Sequence, residues 1–394
     1  MIGISKLYCG AVEAADVLRY GEDSGRLPSH LLQFSKDKKP VVVWNVTRRC
    51  NLRCVHCYSS SRDLEYPGEM DTAEGKALIT DLAQFGCPVV LLSGGEPLIR
   101  PDLEELARFA AGKGMRVVIS TNGTLITREK AAVFRDIGLS YVGISLDGIG
   151  ATHDKFRGEN GAFAAAVHGM RICREFGIKV GIRFTINRRN YHEIPAVFDF
   201  IEEEGIPRAC FYHLVYSGRG SKLMKEDLEH EETRNVVDII MDRTSDLFRR
   251  GKEKEILTVD NHADGPYIYL RLLKEDPVRA MEVLELLKMN KGNNTGVAIG
   301  CVSWDGEVHA DQFWRNHSFG NVRVRPFSEI WTDTSNDLMA GLKDRKPRLK
   351  GRCAKCKWLD VCNGNFRSRA EAATGDPWAP DPACYLTDEE IGIK

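Results

Sequence analysis

The sequence predicts an α/β protein, a partial (β/α)6 barrel of the TIM type followed by a smaller cysteine-rich domain. Three observations carry this expectation. Short β-branched runs alternate with longer amphipathic segments from about residue 41 to residue 216, unusual residues gather at the C-terminal tips of those runs, and the last hundred residues are rich in cysteine but poor in strand patterning.

The runs are 41–47 (VVVWNVT), 88–95, 116–121, 141–147, 180–187 and 209–216, which read as six buried strands. Helical stretches fall between them at about 73–85, 101–113, 127–137, 161–176 and 192–204, several of them ending at a glycine. Parallel neighbours need such crossovers. The tips carry cysteines after the first strand, Gly94-Gly95-Glu96-Pro97 after the second, Thr121-Asn122-Gly123 after the third and Asp147-Gly148 after the fourth. Sites in α/β barrels collect at that face, so a barrel, full or partial, fits better than an open doubly wound sheet.

Four regions are expected: an N-terminal extension (1–39), the barrel (40–220), a charged, helical connecting region (221–296) closed by the flexible stretch LKMNKGNNTG, and an auxiliary domain (297–394). Within the last, Cys301 to His309 reads as a hairpin turning at Asp305-Gly306, followed by a helix near 327–342.

With 43% hydrophobic and 28% charged residues over 394 positions, the chain has the balance of a folded, water-soluble protein. Lys and Arg total 55 against 56 Asp and Glu, which leaves no global positive field for nucleic acid. The first residues lack the apolar run of a secretory signal, and nothing approaches the roughly 18 apolar residues of a membrane span, so no membrane partner and a cytoplasmic address are expected.

Twelve cysteines in such a chain point to metals or catalysis rather than to disulfides. Cys50, Cys54 and Cys57 place three thiols within eight residues, enough to hold three corners of an iron–sulfur cluster and leave one iron open. Zinc completed by His56, or chance clustering, are the other readings. Cys353, Cys356 and Cys362, with Cys384 further on, supply four thiols for either a complete second cluster or zinc.

The Cys-x3-Cys-x2-Cys loop, followed by Tyr58, and the Gly94-Gly95-Glu96 segment resemble the signatures of the radical S-adenosylmethionine (radical SAM) superfamily. The resemblance implies a [4Fe-4S] cluster on Cys50, Cys54 and Cys57, with S-adenosylmethionine chelating its open iron and giving a 5′-deoxyadenosyl radical. It implies further contacts to that cofactor: Tyr58, Gly94 and Gly95 by close approach, Glu96 near the ammonium, Ser120 and Asn122 near the ribose, Ser145 and Asp147 one strand further on, and Arg157 at the carboxylate. An Asn-Gly pair is also simply a turn, and a lone Arg a surface residue.

The second cysteine group resembles the auxiliary tail called SPASM, or its shorter twitch relative. A full SPASM tail would carry more cysteines than are present, so one auxiliary [4Fe-4S] cluster is expected, with Cys301 left unassigned. Over nearly the whole chain, including the segments before and after the barrel, the sequence is similar to the didecarboxysirohaem deacetylase (AhbC) and NirJ groups of the alternative haem and haem d1 pathways. That likeness implies an iron tetrapyrrole substrate, loss of two acetate side chains to give Fe-coproporphyrin III, and an electron donor such as ferredoxin or flavodoxin. Arg183, His213, Tyr216 and Arg219 are the candidates for the carboxylate rim, with His213 or His309 as axial ligand to the substrate iron; each has a structural reading beside it. A peptide maturase of SPASM type, or a non-enzymatic metal-binding protein, are the competing functions.

Overall fold

The computed structural model describes residues 1–10 and 19–393; residues 11–18 of the expected N-terminal extension, and Lys394, lie outside the described residues. Ten strands form one sheet: β1 (Ile2–Gly3), β2 (Val41–Thr47), β3 (Val89–Gly94), β4 (Arg116–Thr121), β5 (Tyr141–Ser145), β6 (Val180–Ile186), β7 (Arg208–His213), β8 (Glu255–Val259), β9 (Ile299–Val302) and β10 (Val308–His309). β2 to β8 are parallel, each paired with the next. β9 joins the free side of β2 in parallel, β10 returns antiparallel to it, and β1 lies antiparallel on β8. The end strands β1 and β10 do not pair with each other, so the barrel is partial.

All six expected strands are present, with β5 and β7 ending sooner than their runs suggested, at Ser145 and His213. The stretch 221–296 is not wholly helical. It holds the helices His230–Arg249, Asp264–Glu275 and Pro277–Asn290, but also the seventh parallel strand, β8, which a short run with only three apolar residues had concealed. The hairpin of β9 and β10 forms as expected, with Val308 opposite Val302, and its first strand also extends the main sheet. One helix expected near 327–342 is two, Phe327–Thr332 and Asp337–Lys343, the second started by the Asn336 side chain accepting from the Met339 amide.

Local chemistry explains the elements. β2 is buried at every position after Val41, as a strand covered on both faces must be. The helix Thr72–Phe85 starts in a reciprocal capping box between Asp71 and Glu74. Along β7, Arg208, Cys210 and Tyr212 face the barrel interior, whereas Phe211 packs outward on Phe198 of the helix Ile194–Glu203 at 5.3 Å. Inward residues of β2 to β8, among them Val43, Leu91, Arg183, Tyr212 and Leu257, line a cavity of about 970 Å3 that also touches Gly3 and Ile299 from the two sides of the opening. No helix among the described residues is long and apolar enough to cross a membrane.

The C-terminal region is fastened to the barrel by a fully buried ion pair. Arg369 donates to both oxygens of Asp381 at 2.8 and 2.9 Å, and also to the carbonyls of Leu214 and Asp260 beyond β7 and β8. Asp381 accepts in addition from the amides of Phe366 and Ala383. Removing one partner of such a pair strands a buried charge. Arg369→Ala is therefore expected to destabilise the chain by about 3–5 kcal/mol in denaturant titrations, and a shift below 1 kcal/mol would refute this role.

Candidate functional site

Beyond β2 the chain forms the loop that carries Cys50, Cys54 and Cys57. The loop is closed by the Cys50 amide donating to the Arg62 carbonyl at 3.0 Å, and Arg53 and Val55 donate to the carbonyls of Arg157 and Phe156. Arg219 holds it from the other side. Its Nε donates to the Cys54 carbonyl at 2.7 Å, its Nη1 to the Ser61 carbonyl at 2.8 Å, and its backbone amide to the Cys57 carbonyl at 2.9 Å. Arg219 thus braces the cysteine loop, borders neither cavity and keeps a buried, unpartnered Nη2.

The three thiols line a cavity of about 180 Å3 together with Tyr58, Gly94, Gly95, Ser120, Asn122, Ser145 and Arg157. Residues separated by up to 107 positions in sequence therefore meet in one place. Burial and the neighbouring Cys54 push the Cys50 thiol up to about 12. Burial also raises Cys54, against the pull of the Arg157 guanidinium, whose Nη1 lies 3.5 Å from its sulfur. Crowded thiols held away from ionisation are groups that a bound cation converts to thiolates.

Two glycines let the β3 tip approach this loop. A Cβ on Gly94, whose φ is +137°, would stand 2.2 Å from the Thr47 carbonyl oxygen, and one on Gly95 would stand 2.1 Å from that of Arg49. Their amide neighbours bond across the same gap, Gly95 to Thr47 at 2.7 Å and Glu96 to Arg49 at 2.8 Å. Hence the first obstacle to a side chain here is the β2 backbone, not a ligand.

Glu96 differs from its expected role. It is fully buried, with its carboxylate accepting from the Thr121 hydroxyl at 2.6 Å, the Asn122 amide at 2.8 Å and the Leu98 amide at 3.1 Å. Burial pushes it up to about 6, with those three donors opposing. It clasps the β3 tip to the β4 tip and does not line the cavity. Asn122 is likewise committed, donating to Asn51 at 2.8 Å and accepting from Thr124, while still bordering the cavity. Tyr58 donates to Asn45 at 2.8 Å and packs edge-on against Phe313 at 5.3 Å.

Asp147 lies behind the wall, fully buried, paired with Arg157 and 3.4 Å from His56. Burial alone would raise it, but Arg157 and the nearby histidines hold it below the usual carboxylate range. It positions Arg157, whose Nε stays without a partner beside the cavity.

The substrate candidates separate. Arg183 lines both cavities, donates to Ser120 at 2.9 Å, has no ion pair among the described residues and keeps a buried, unpartnered Nε. His213 borders the smaller cavity at the end of β7; its Nε2 meets Asp264 at 3.0 Å, and Asp264 also accepts from Tyr385 at 2.7 Å. Tyr216 spends its hydroxyl on Asp227 at 2.7 Å and borders neither cavity. His309 has both nitrogens engaged, Nδ1 with the His317 carbonyl at 2.7 Å and Nε2 with Ser303 at 3.0 Å. It has no free lone pair for iron.

In the second group, burial raises Cys362 well above its usual range, with Cys384, Cys353 and Cys356 adding to it in that order, so the four thiols share one neighbourhood. Cys301 is buried, accepting from Asn45 at 3.5 Å. Among the described residues no three His, Cys, Asp or Glu side chains are gathered closely enough for a single ion.

A family model described as the radical SAM superfamily matches residues 44–201, and one described as an iron–sulfur cluster-binding domain, SPASM, matches 298–357. Fe-coproporphyrin III synthase of Methanosarcina barkeri is 69% identical over 100% of this chain and 99% of its own length. The chain belongs to the radical SAM superfamily. Pre-heme d1 synthase of Dinoroseobacter shibae is 44% identical over 90% of this radical SAM chain and 88% of its own. The fold of Streptococcus suis SuiB bound to S-adenosylmethionine covers 89% of this chain and 78% of that one, with a TM-score of 0.69 at 17% identity. Membership brings S-adenosylmethionine and an iron–sulfur cluster, with the SPASM domain bringing cluster binding to the C-terminal region. The two thiol groups and the unpartnered guanidinium beside the first fit these cofactors.

Sequence reasoning missed Tyr212, Asp260, His262 and Phe313 on the cavity walls. Asp260 borders both cavities in a left-handed conformation, φ +67°, with a buried, unpartnered Oδ2, and burial pushes it up to about 7. A polar tip after the short run at 256–259 repeats the pattern of the other strand tips and was the available signal.

Glu96→Gln would turn an amide N–H toward one of three donors. It is expected to cost about 1–3 kcal/mol in thermal or denaturant unfolding and to lower bound iron; unchanged stability and iron content would refute the clasp.

Proposed function

We propose that the chain removes two acetate side chains from didecarboxysirohaem to give Fe-coproporphyrin III. The observation that carries this reading is the 69% identity to Fe-coproporphyrin III synthase over both full lengths. Cys50, Cys54 and Cys57 hold the first [4Fe-4S] cluster, and Cys353, Cys356, Cys362 and Cys384 a single auxiliary one. S-adenosylmethionine at the first cluster supplies a radical able to take a hydrogen atom from carbon.

The chain's own residues shape what that radical meets. Arg157, kept charged by Asp147, offers its free Nε to the cofactor carboxylate, and Ser120 and Ser145 offer hydroxyls from the neighbouring strands. Arg183, standing where the small cavity meets the large one, binds a substrate carboxylate and turns the macrocycle's acetate-bearing edge toward the cysteine loop. Burial around both arginines excludes water, which strengthens each contact. Electrons come from a small redox protein such as ferredoxin or flavodoxin.

Reconstituted protein is expected to hold about eight irons per chain; about four, or one zinc, would refute the auxiliary cluster. Anaerobic incubation with didecarboxysirohaem, S-adenosylmethionine and a reductant is expected to give a product lighter by two acetate units. Cleavage of the cofactor without that change would reject the substrate, and Cys54→Ala is expected to yield neither product. Arg183→Ala is expected to weaken substrate binding by about 1.5–3 kcal/mol, roughly 10- to 150-fold in KM, while cofactor cleavage without substrate persists.

A further inference from the structure

After β8 the backbone turns through the left-handed Asp260 and brings His262 to the wall of the larger cavity. The main chain there is fixed. The His262 amide donates to Asn365 at 2.7 Å, and Asn365 donates in turn to Asn261 at 2.8 Å. The ring is not satisfied in the same way: its Nδ1 is buried with no hydrogen-bond partner, and the side chain is only 6% exposed. An unpaired buried nitrogen is costly unless a ligand meets it.

Burial, with the N-terminal amine, Arg345 and Arg369 nearby, holds His262 well below its usual range, so the imidazole is neutral. A neutral imidazole is the form that ligates metal. His309 spends both nitrogens on protein groups, and His213, its Nε2 held by Asp264, borders the 180 Å3 cavity and not this chamber. His56 also has an unpartnered Nδ1, but it faces Asp147 beside the cysteine loop, at the 180 Å3 cavity. The chamber of His262 holds about 970 Å3, at the upper end of the ~300–1,000 Å3 found for small-molecule sites. Its other walls include Tyr212 and the rings of Phe313 and Phe366, 5.8 Å apart, surfaces suited to a flat apolar macrocycle, with Arg183 for its carboxylates.

We propose that His262 is the protein ligand to the iron of the tetrapyrrole substrate, seating the macrocycle in the large chamber. This rests on the tetrapyrrole reading above and replaces the histidines the sequence had suggested.

The test uses the cluster-loaded protein with two probes, Fe(III)-coproporphyrin III and metal-free coproporphyrin III, read by electron paramagnetic resonance, resonance Raman spectroscopy and equilibrium binding. Wild type is expected to bind both and to give the iron probe an imidazole-ligated signature. His262→Ala is expected to lose that signature and bind the iron probe on the order of tenfold more weakly, added imidazole restoring the signal, with metal-free binding unchanged. His262→Gln retains a polar side chain and the backbone bond to Asn365, so it is expected to fold with wild-type cluster content and to lose the same signature. A wild-type iron signature in either variant would overturn the assignment and leave the tetrapyrrole reading standing. Failure of wild type to bind either porphyrin would overturn both.

Discussion

The buried pair of Arg369 and Asp381 is the constraint on which the architecture turns. Two charges are taken fully out of water, at a cost of several kcal/mol each, and the loss is offset because all three guanidinium nitrogens and both carboxylate oxygens find partners. Those partners lie on four separate parts of the chain: the end of β7, the end of β8, the amide of Phe366, and the turn leading to Cys384. One guanidinium therefore sets the distance between the auxiliary cysteine group and the chamber wall that carries Asp260 and His262. A lysine could not do this, since it lacks the planar fork that reaches a carboxylate and two carbonyls at once.

Glu96 plays a corresponding part on the opposite side of the barrel. It ties β3 to β4 just as the glycines ahead of it allow β3 to touch the β2 loop, so the cysteine loop rests on a surface with little freedom to shift. Arg219 adds the third support, from the segment after β7. The cofactor cavity is thus bounded in part by buried, hydrogen-bonded groups that contact backbone, while Arg157, Arg183, Asp260 and His262, like His56, border open space with a buried polar atom left without a partner. Unmet polar groups beside a cavity are a physical signature of ligand binding, because elsewhere in a folded chain they would be penalised.

Much of the fold was legible in sequence because two-sided burial writes a strand as a largely apolar run, as in residues 41–44 of β2 and 89–92 of β3. β8 was not, since three apolar residues and a threonine carry too little pattern to be told from part of a helix. The close spacing of Cys50, Cys54 and Cys57 anticipated that they would meet at one cavity. The roles of Glu96, Arg219 and His309 were not legible, because chemistry-bearing residue types near a motif serve equally well as ligands or as braces, and only their partners distinguish the two. His213 was partly legible: the end of β7 brings it to the smaller cavity, but its bond to Asp264, 51 positions later, is not marked in the sequence.

The parallel pairing of β2 with β9 has a consequence for how the protein is made. The strand that leads into the cysteine loop is completed on its second side by residues emerging about 250 positions later. At ~5–20 residues per second, ribosomes would leave that side of Val41–Thr47 open for roughly 10–50 seconds. During that interval an apolar strand edge and three free thiols are presented together, ahead of the segment that covers them. Nascent chains of this protein are then most vulnerable to aggregation and oxidation at the place where the finished molecule is most tightly enclosed.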